Sequence, residues 1–300
     1  MRRYAMSDIH GCLGAFAGRI MQLEALGFFE EGCTDELVLL GDYIDRGPNS
    51  LSVIRLIMEL ERRCPGRIVP LMGNHENDFL LWLGDGAADG GWDDDALLDD
   101  DVDALLEGLL ADFGPASGHA AIDRLQMWQH SDQGGATMFS LLGKQLYGEL
   151  ESACSAIDDC AAAAFEDACE KIRLEHESAI RWVRGLREYY ETEQQIFIHA
   201  GIDESCGRDW AIATPRDTIL WDRSLRRGAF YKDVIAGHTA TSTICGDASF
   251  HNILWDGESH YYIDGMAIRS GRIPVLVYDC ETGEYFELDD NGTLAEIKRF

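Results

Sequence analysis

Positive charge is what this 300-residue chain has least of: 25 Lys and Arg stand against 54 Asp and Glu, a formal net charge of −29. Phosphate backbones are bound by clustered Lys and Arg, so this balance argues against a nucleic-acid footprint and favours solubility. Long apolar runs are missing too. None approaches the roughly 18 residues that cross a bilayer, and Met1-Arg2-Arg3-Tyr4 leads only into a short apolar stretch before Asp8. Neither export nor membrane insertion is expected. Disulfide patterning is absent: nine cysteines make an odd number, the spacings are irregular, and no Cys-x-x-Cys pair occurs. Reduced thiols in a cytoplasmic protein are the expectation, with Cys12 a small packing residue. No Pro-rich or Ser-rich linker divides the chain, and no repeat of fixed period runs through it.

What is present is enough apolar residue, 46%, for a sizeable core. The first third alternates. Apolar runs at 4–6, 37–40 and 68–71 read as strands. Between them Leu13, Phe16, Ile20, Leu23 and Leu26, then Leu51, Ile54, Ile57, Met58 and Leu60, recur at helical spacing. Parallel strands with covering helices follow. The middle differs: residues 85–112 hold eleven acidic side chains and no Lys or Arg, with Leu97, Leu98, Leu105, Leu106, Leu109 and Leu110 interleaved. That pattern reads as short acidic helices with a solvated charged face. Further on, Phe165, Cys169, Ile172, Ile180 and Val183 are spaced to form a buried stripe. Residues 84–190 are expected to be an inserted helical cap, between segments 1–83 and 191–300 of one catalytic domain. Strand-like runs return at 196–198, 234–236, 261–263, 275–278 and 285–288.

Five short segments place metal- or phosphate-capable side chains just beyond such runs. They are Ser7-Asp8-Ile9-His10-Gly11, Gly41-Asp42-Tyr43-Ile44-Asp45-Arg46-Gly47, Gly73-Asn74-His75-Glu76, His199-Ala200-Gly201 and Gly237-His238-Thr239. A lone Asp-x-His or Asn-His carries little information, because such pairs are common surface or core polar residues. Five of them behind strands are different, since ligands gather outside the carboxyl ends of strands in open α/β folds. Carboxylate, imidazole and amide oxygen together suit manganese, iron or zinc.

In this order the segments resemble the signature motifs of the phosphoprotein phosphatase branch of the calcineurin-like metallophosphoesterases, especially bacterial and phage serine/threonine phosphatases. Trp221-Asp222-Arg223, Ile263-Asp264-Gly265, and Trp128 with Gly134-Gly135, Thr137 and Ser140 are similar as well. The resemblance implies a four-layer α/β sandwich, two mixed β-sheets flanked by helices. It implies two metal ions: Asp8 and His10 on one, Asn74, His199 and His238 on the other, and Asp42 bridging with its two carboxylate oxygens. Two divalent ions against two ligand carboxylates would leave a local charge of about plus two, attracting phosphate despite the acidic surroundings, and a shared water would be the nucleophile. His75 is implied as general acid, oriented by Asp45, and Arg46 and Arg223 as grips on the phosphoryl oxygens. Arg226 or Arg227 could do the work of Arg223. Two departures stand out: Met72 occupies the place where many members carry arginine, and Ser7 that of a common glycine.

Three functions compete. A phosphomonoesterase acting on phosphoserine or phosphothreonine, with manganese as the first ion to test, is the leading expectation because of the Asp45-Arg46 and His75-Glu76 context. Hydrolysis of dinucleoside polyphosphates is the alternative, since relatives use nearly the same metal frame; the symmetrical diadenosine tetraphosphatases typically differ at the positions of Asp45 and Glu76. A non-catalytic scaffold, its acidic segment binding a basic partner, is the third, and the intact ligand set argues against it.

Overall fold

The computed structural model describes residues 1–84, 120–130, 134–155 and 157–300. The acidic stretch expected at 85–112, with its six leucines, lies outside the described residues. Two mixed six-stranded sheets lie face to face. The first is built from β1 (Arg2–Met6), β2 (Glu36–Leu39), β3 (Ile68–Pro70), β9 (Leu276–Asp279), β10 (Glu284–Leu288) and β11 (Leu294–Ala295), in the order β11-β10-β9-β1-β2-β3. The second holds β4 (Tyr189–Glu191), β5 (Gln195–Ile198), β6 (Asp233–Ala236), β7 (Leu254–Trp255), β8 (His260–Tyr262) and β12 (Lys298–Arg299), in the order β12-β7-β8-β6-β5-β4.

Parallel pairing runs through the middle of each sheet. Ala5 sits opposite Val38, and Val38 opposite Val69; across the other sheet Phe197 sits opposite Ile235, and Ile235 opposite Tyr261. Successive strand residues point to opposite faces. Thus Ala5, Val38, Leu40 and Val69 meet Phe197, Ile235 and Tyr261 between the sheets, while Tyr4, Met6, Leu37 and Leu39 face the helices. With both faces buried, the central strands read as continuous apolar runs rather than alternating ones.

The covering helices follow the expected stripes with local corrections. In α1 (Leu13–Ala25) Phe16, Ile20 and Leu23 are buried, but Leu13 is half-buried and Leu26, just past the end of the helix, is exposed. Arg19 takes a place on that inner face, its guanidinium donating to the Ile273 carbonyl at 2.7 Å and to Asp290 at 2.7 Å. In α2 (Ser50–Arg63) Val53 is buried and Met58 is half-buried. A third helix, α3 (Asn74–Leu83), starts on the third motif.

Four further helices, α4 (Ala120–His130), α5 (Gly134–Ala153, interrupted at Gly143), α6 (Asp159–Glu175) and α7 (Glu177–Arg184), pack on α2 and α3 and on one another. The expected stripe of Phe165, Cys169, Ile172, Ile180 and Val183 is buried throughout. Phe165 stacks on Trp128 at 5.4 Å and lies 6.2 Å from Trp82 of α3, tying these helices to the main core. Strand β4 opens at Tyr189, inside the stretch assigned from sequence to the cap, because Tyr189 already pairs with Ile198. The shorter helices are α8 (Trp210–Ala213), α9 (Arg216–Trp221), α10 (Thr241–Cys245) and α11 (Ala267–Ser270). No helix among the described residues is long and apolar enough to cross a membrane, and none of the nine cysteines is bonded to another.

Candidate metal centre

Parallel pairing brings the carboxyl ends of β1, β2 and β3 to one edge and those of β5 and β6 to the facing edge. Asp8, Asp42, Asn74, His199 and His238 each follow one of these strands within a few residues. The loops are wound tightly. Of the seven non-glycine residues with positive φ among the described residues, six are sequence-assigned site residues: Asp8 (53°), His10 (45°), Asp42 (55°), Asp45 (65°), Arg46 (62°) and His238 (62°). Left-handed backbone costs a residue with a Cβ about 1–2 kcal/mol, so strain is concentrated at this edge.

Glycine makes the close approach possible at Gly41, where φ is +92° and a Cβ would meet the Gly73 nitrogen at 2.5 Å. Glu76 then ties the two loops together. Its Oε1 accepts from the backbone N–H of Tyr43 (2.8 Å) and Ile44 (3.2 Å), and its Oε2 from those of Asp42 (2.8 Å) and Gly73 (3.1 Å). Sequence reasoning used Glu76 to rank the competing functions but gave it no place in the site. The available signal was its spacing, three residues after Gly73 at a helix start, where a glutamate side chain reaches back to the capping residue.

The imidazoles are oriented by main-chain carbonyls. His10 Nδ1 donates to the Ile44 carbonyl at 2.8 Å and His199 Nδ1 to that of Leu40 at 2.7 Å, which leaves both Nε2 lone pairs facing inward. His199 Nε2 is 2.9 Å from Asn74 Oδ1 and 3.4 Å from Asp42 Oδ1, whereas His10 Nε2 is 3.5 Å from Asp42 Oδ2 and 3.9 Å from Asp8 Oδ1. Asp42 therefore turns one oxygen to each histidine set. His10 with Asp42 and His75 forms one group of donor atoms within 4.8 Å of one another; Asp42 with His199 and His238 forms the other.

Electrostatics agree with a cation site. Burial lowers the His10 imidazole well below its usual pKa, with the charges of His75 and Arg46 adding to the effect. Burial likewise depresses His199, and it depresses His238 strongly, together with the charges of His199, Arg223 and His75. Neutral imidazoles present lone pairs. Burial pushes the Asp42 carboxyl well above its usual range, reinforced by Asp8 and Glu76, and does the same at Asp264, reinforced by Asp8. Nε2 of His10 and of His238 is buried with no hydrogen-bond partner among the described residues. Orphaned imidazole nitrogens beside crowded carboxylates are the donor set a divalent transition ion satisfies.

Beside this centre, His75 Nδ1 lies 2.8 Å from Asp45 Oδ2, and its Nε2 is 3.4 Å from the Arg46 guanidinium and 3.8 Å from Asp42 Oδ2. Arg223 is exposed, and its charge is felt by His238. The alternatives weighed for it are engaged elsewhere. Arg226 pairs with Asp222 at 2.8 Å, and Arg227 stacks over Phe300 at 4.4 Å. Met72 is buried in the core and offers no polar contact at the site. Ser7 donates from Oγ to Asp8 Oδ2 in space that Gly237 leaves open, since a Cβ there would collide with Ser7 Oγ.

Residues 1–130 match the family model for calcineurin-like phosphoesterases. A protein named bis(5'-nucleosyl)-tetraphosphatase, symmetrical, from Wigglesworthia glossinidia brevipalpis is 40% identical over 81 residues, 27% of this chain and 26% of that protein. A relative of the same name from Legionella pneumophila (strain Lens) is 35% identical over 119 residues, 40% of this chain and 37% of that one. The match thus spans between about a quarter and about two fifths of these relatives' length. Among solved structures, a cold-active protein tyrosine phosphatase overlays with a TM-score of 0.53 at 14% identity, covering 99% of this chain and 79% of the other, which is a likeness of fold. The calcineurin-like phosphoesterase match thus falls on the segment that carries Asp8, His10, Asp42 and Asn74, and the two mixed sheets under helices share the fold of a solved phosphatase.

Proposed function

We propose that this protein is a metal-dependent phosphohydrolase whose two divalent ions are held by Asp8, His10, Asp42, Asn74, His199 and His238. The observation that carries the reading is the two-sided Asp42 carboxylate, with one oxygen 3.5 Å from His10 Nε2 and the other 3.4 Å from His199 Nε2. Bound divalent ions supply Lewis acidity at this point, opposing the charge of a phosphoryl group and acidifying water.

The chain's own groups do the rest. His75 holds a proton on Nε2 for the departing oxygen, while Asp45 Oδ2 accepts from Nδ1 at 2.8 Å, fixing the ring and raising its basicity. Arg46, 3.4 Å from that Nε2, places a planar cation where phosphoryl oxygens would lie beside the leaving group. Arg223, whose charge bears on His238, is the second grip on the anion.

For the substrate, the curated relatives' names favour a phosphoanhydride of the dinucleoside polyphosphate class over a phosphoprotein, reversing the ranking expected from sequence. The second reading, a phosphomonoester of serine or threonine, is favoured by the Asp45–His75 pair. An alkoxide needs a proton on leaving far more than a nucleotide phosphate does. Shared fold does not separate the two.

The test is phosphate release by the purified chain with manganese, then iron and zinc, from diadenosine tetraphosphate, a phosphoserine peptide and p-nitrophenyl phosphate. Preferred turnover of the tetraphosphate supports the first substrate class, and preferred turnover of the peptide the second. Failure to release product from any of them with any of the three metals rejects a phosphohydrolase.

A further inference from the structure

A second set of contacts reaches the site from a distant segment. Thr137, in the first turn of α5, is separated from Asp45 by 92 residues and is buried against it. Its Oγ1 accepts from the Asp45 backbone N–H at 2.9 Å, lies 3.1 Å from Ser50 Oγ, and donates to Asp45 Oδ1. A hydroxyl has one proton and two lone pairs. All three are used when Ser50 donates to Thr137, so the Thr137 proton is committed to the Asp45 carboxylate. Asp45 Oδ2, the other oxygen, is the one that meets His75 Nδ1 at 2.8 Å. One turn along α5, Ser140 Oγ accepts from the Leu51 N–H at 3.0 Å and pins the helix to the start of α2.

We propose that Thr137 is a positioning residue for the His75 acid, so that the helices following residue 119 complete the catalytic arrangement rather than merely covering it. The inference rests on the phosphohydrolase reading above. Asp45 sits at φ 65° in a strained loop, and its carboxylate can turn about its last bond unless one oxygen is held. Thr137 holds Oδ1, which aims Oδ2 at His75 Nδ1, fixes the ring's tautomer and presents the Nε2 proton outward. The alternative is that the hydroxyl only satisfies buried polar groups of the loop.

Four variants of the full chain, Thr137→Val, Thr137→Ser, Ser140→Ala and His75→Gln, separate these roles through two readouts. In metal-free protein, the downfield proton resonance of His75 Nδ1–H, identified by its loss in His75→Gln, is expected to persist in Thr137→Ser and Ser140→Ala and to move or vanish in Thr137→Val. With manganese, kcat of Thr137→Val is expected to fall about tenfold or more on phenyl phosphate relative to p-nitrophenyl phosphate, whose better leaving group needs less protonation, with KM within about twofold. Thr137→Ala replaces Thr137→Val if the latter does not fold.

An unchanged resonance in Thr137→Val, an equal loss on both esters, or the same change in Ser140→Ala would overturn the proposal. So would Thr137→Ser behaving like Thr137→Val, since the methyl group would then matter rather than the hydroxyl. A resonance that moves as expected in a protein unable to turn over any phosphate ester upholds the positioning role and removes the phosphohydrolase reading instead.

Discussion

Replacing Asp42 by Asn should have opposite effects on the metal-free and metal-loaded protein. Without metal, burial, Asp8 and Glu76 all disfavour the Asp42 carboxylate and raise its pKa well above the usual range. A carboxyl raised in the folded state binds more protons there than in the unfolded chain, so its contribution to stability falls as pH rises from the unfolded value of about 4 toward the folded one. A neutral amide of the same shape removes that cost. Metal-free Asp42→Asn should therefore melt above the wild type at pH 8, by about 2 °C for each kcal/mol recovered, and the gap should close in acid. With metal the sign reverses. At a free manganese concentration 100 times the dissociation constant, one site stabilises by about 2.7 kcal/mol. Asn offers one carbonyl oxygen where Asp42 turns an oxygen to each of His10 and His199. If a site is thereby weakened about 100-fold, the stabilisation at the same concentration drops to about 0.4 kcal/mol. Thermal melts with and without manganese at pH 5 and 8, together with metal stoichiometry by elemental analysis, read both effects. A metal-free Asp42→Asn that melts below the wild type at pH 8, or a manganese-induced shift that survives unchanged, would refute a bridging carboxylate held at electrostatic cost.

Three other perturbations test the frame around the centre. His260 is a buried imidazole bonded to Glu204 at 2.8 Å and Asp256 at 2.9 Å; burial lowers its pKa, but the two carboxylate bonds outweigh burial and raise it. Its contribution to stability is present in full below the unfolded value of about 6.5 and lost as pH rises through the folded one, so urea unfolding of wild type minus His260→Gln should give a larger difference at pH 6 than at pH 9. Phe165→Ala empties the space between Trp128 and Trp82 and should cost about 3–5 kcal/mol in urea unfolding. Arg223→Ala should raise KM for a phosphate ester about tenfold, whereas Arg227→Ala, which loses only its stacking on Phe300, should stay within about twofold; the reverse ranking in steady-state kinetics would reassign the grip.

The strands at the centre of each sheet were legible because burial on both faces writes them as unbroken apolar runs, such as 37–40 around Val38 and 196–198 around Phe197. The two-residue strands Leu254–Trp255, Leu294–Ala295 and Lys298–Arg299 were not, because two residues hold no period and their pairing is set by neighbours elsewhere in the chain. Helix faces were legible to within a residue: an arginine on the inner face of α1 reads as polar until the carbonyl of Ile273 is seen to receive it. At the site the side chains with distinctive chemistry stood out after strand ends. Thr137 and Ser140 were noticed only as similarities, since a hydroxyl acquires a role from its partner, and Asp45 and Leu51 are brought to them by α5 packing on α2.

That division follows from where the fold spends its stability. The positions of Asp8, His10, Asp42, Asp45, Arg46 and His238 would all be easier for glycine, which adopts left-handed backbone without penalty, yet glycine supplies no donor atom. Strain there persists because the surroundings over-determine it: Glu76 takes four backbone N–H groups of the two loops, and Gly41 passes so close to Gly73 that neither loop can open alone. Replacing Gly41 by Ala would push the loops apart and uncouple Asp42 from Asn74, although Gly41 itself has no side chain to supply a donor atom. The chemistry of the centre and the rigidity of its loops are therefore separate requirements. Residues that bear lone pairs declare the first in sequence, and only the packed structure reveals the second.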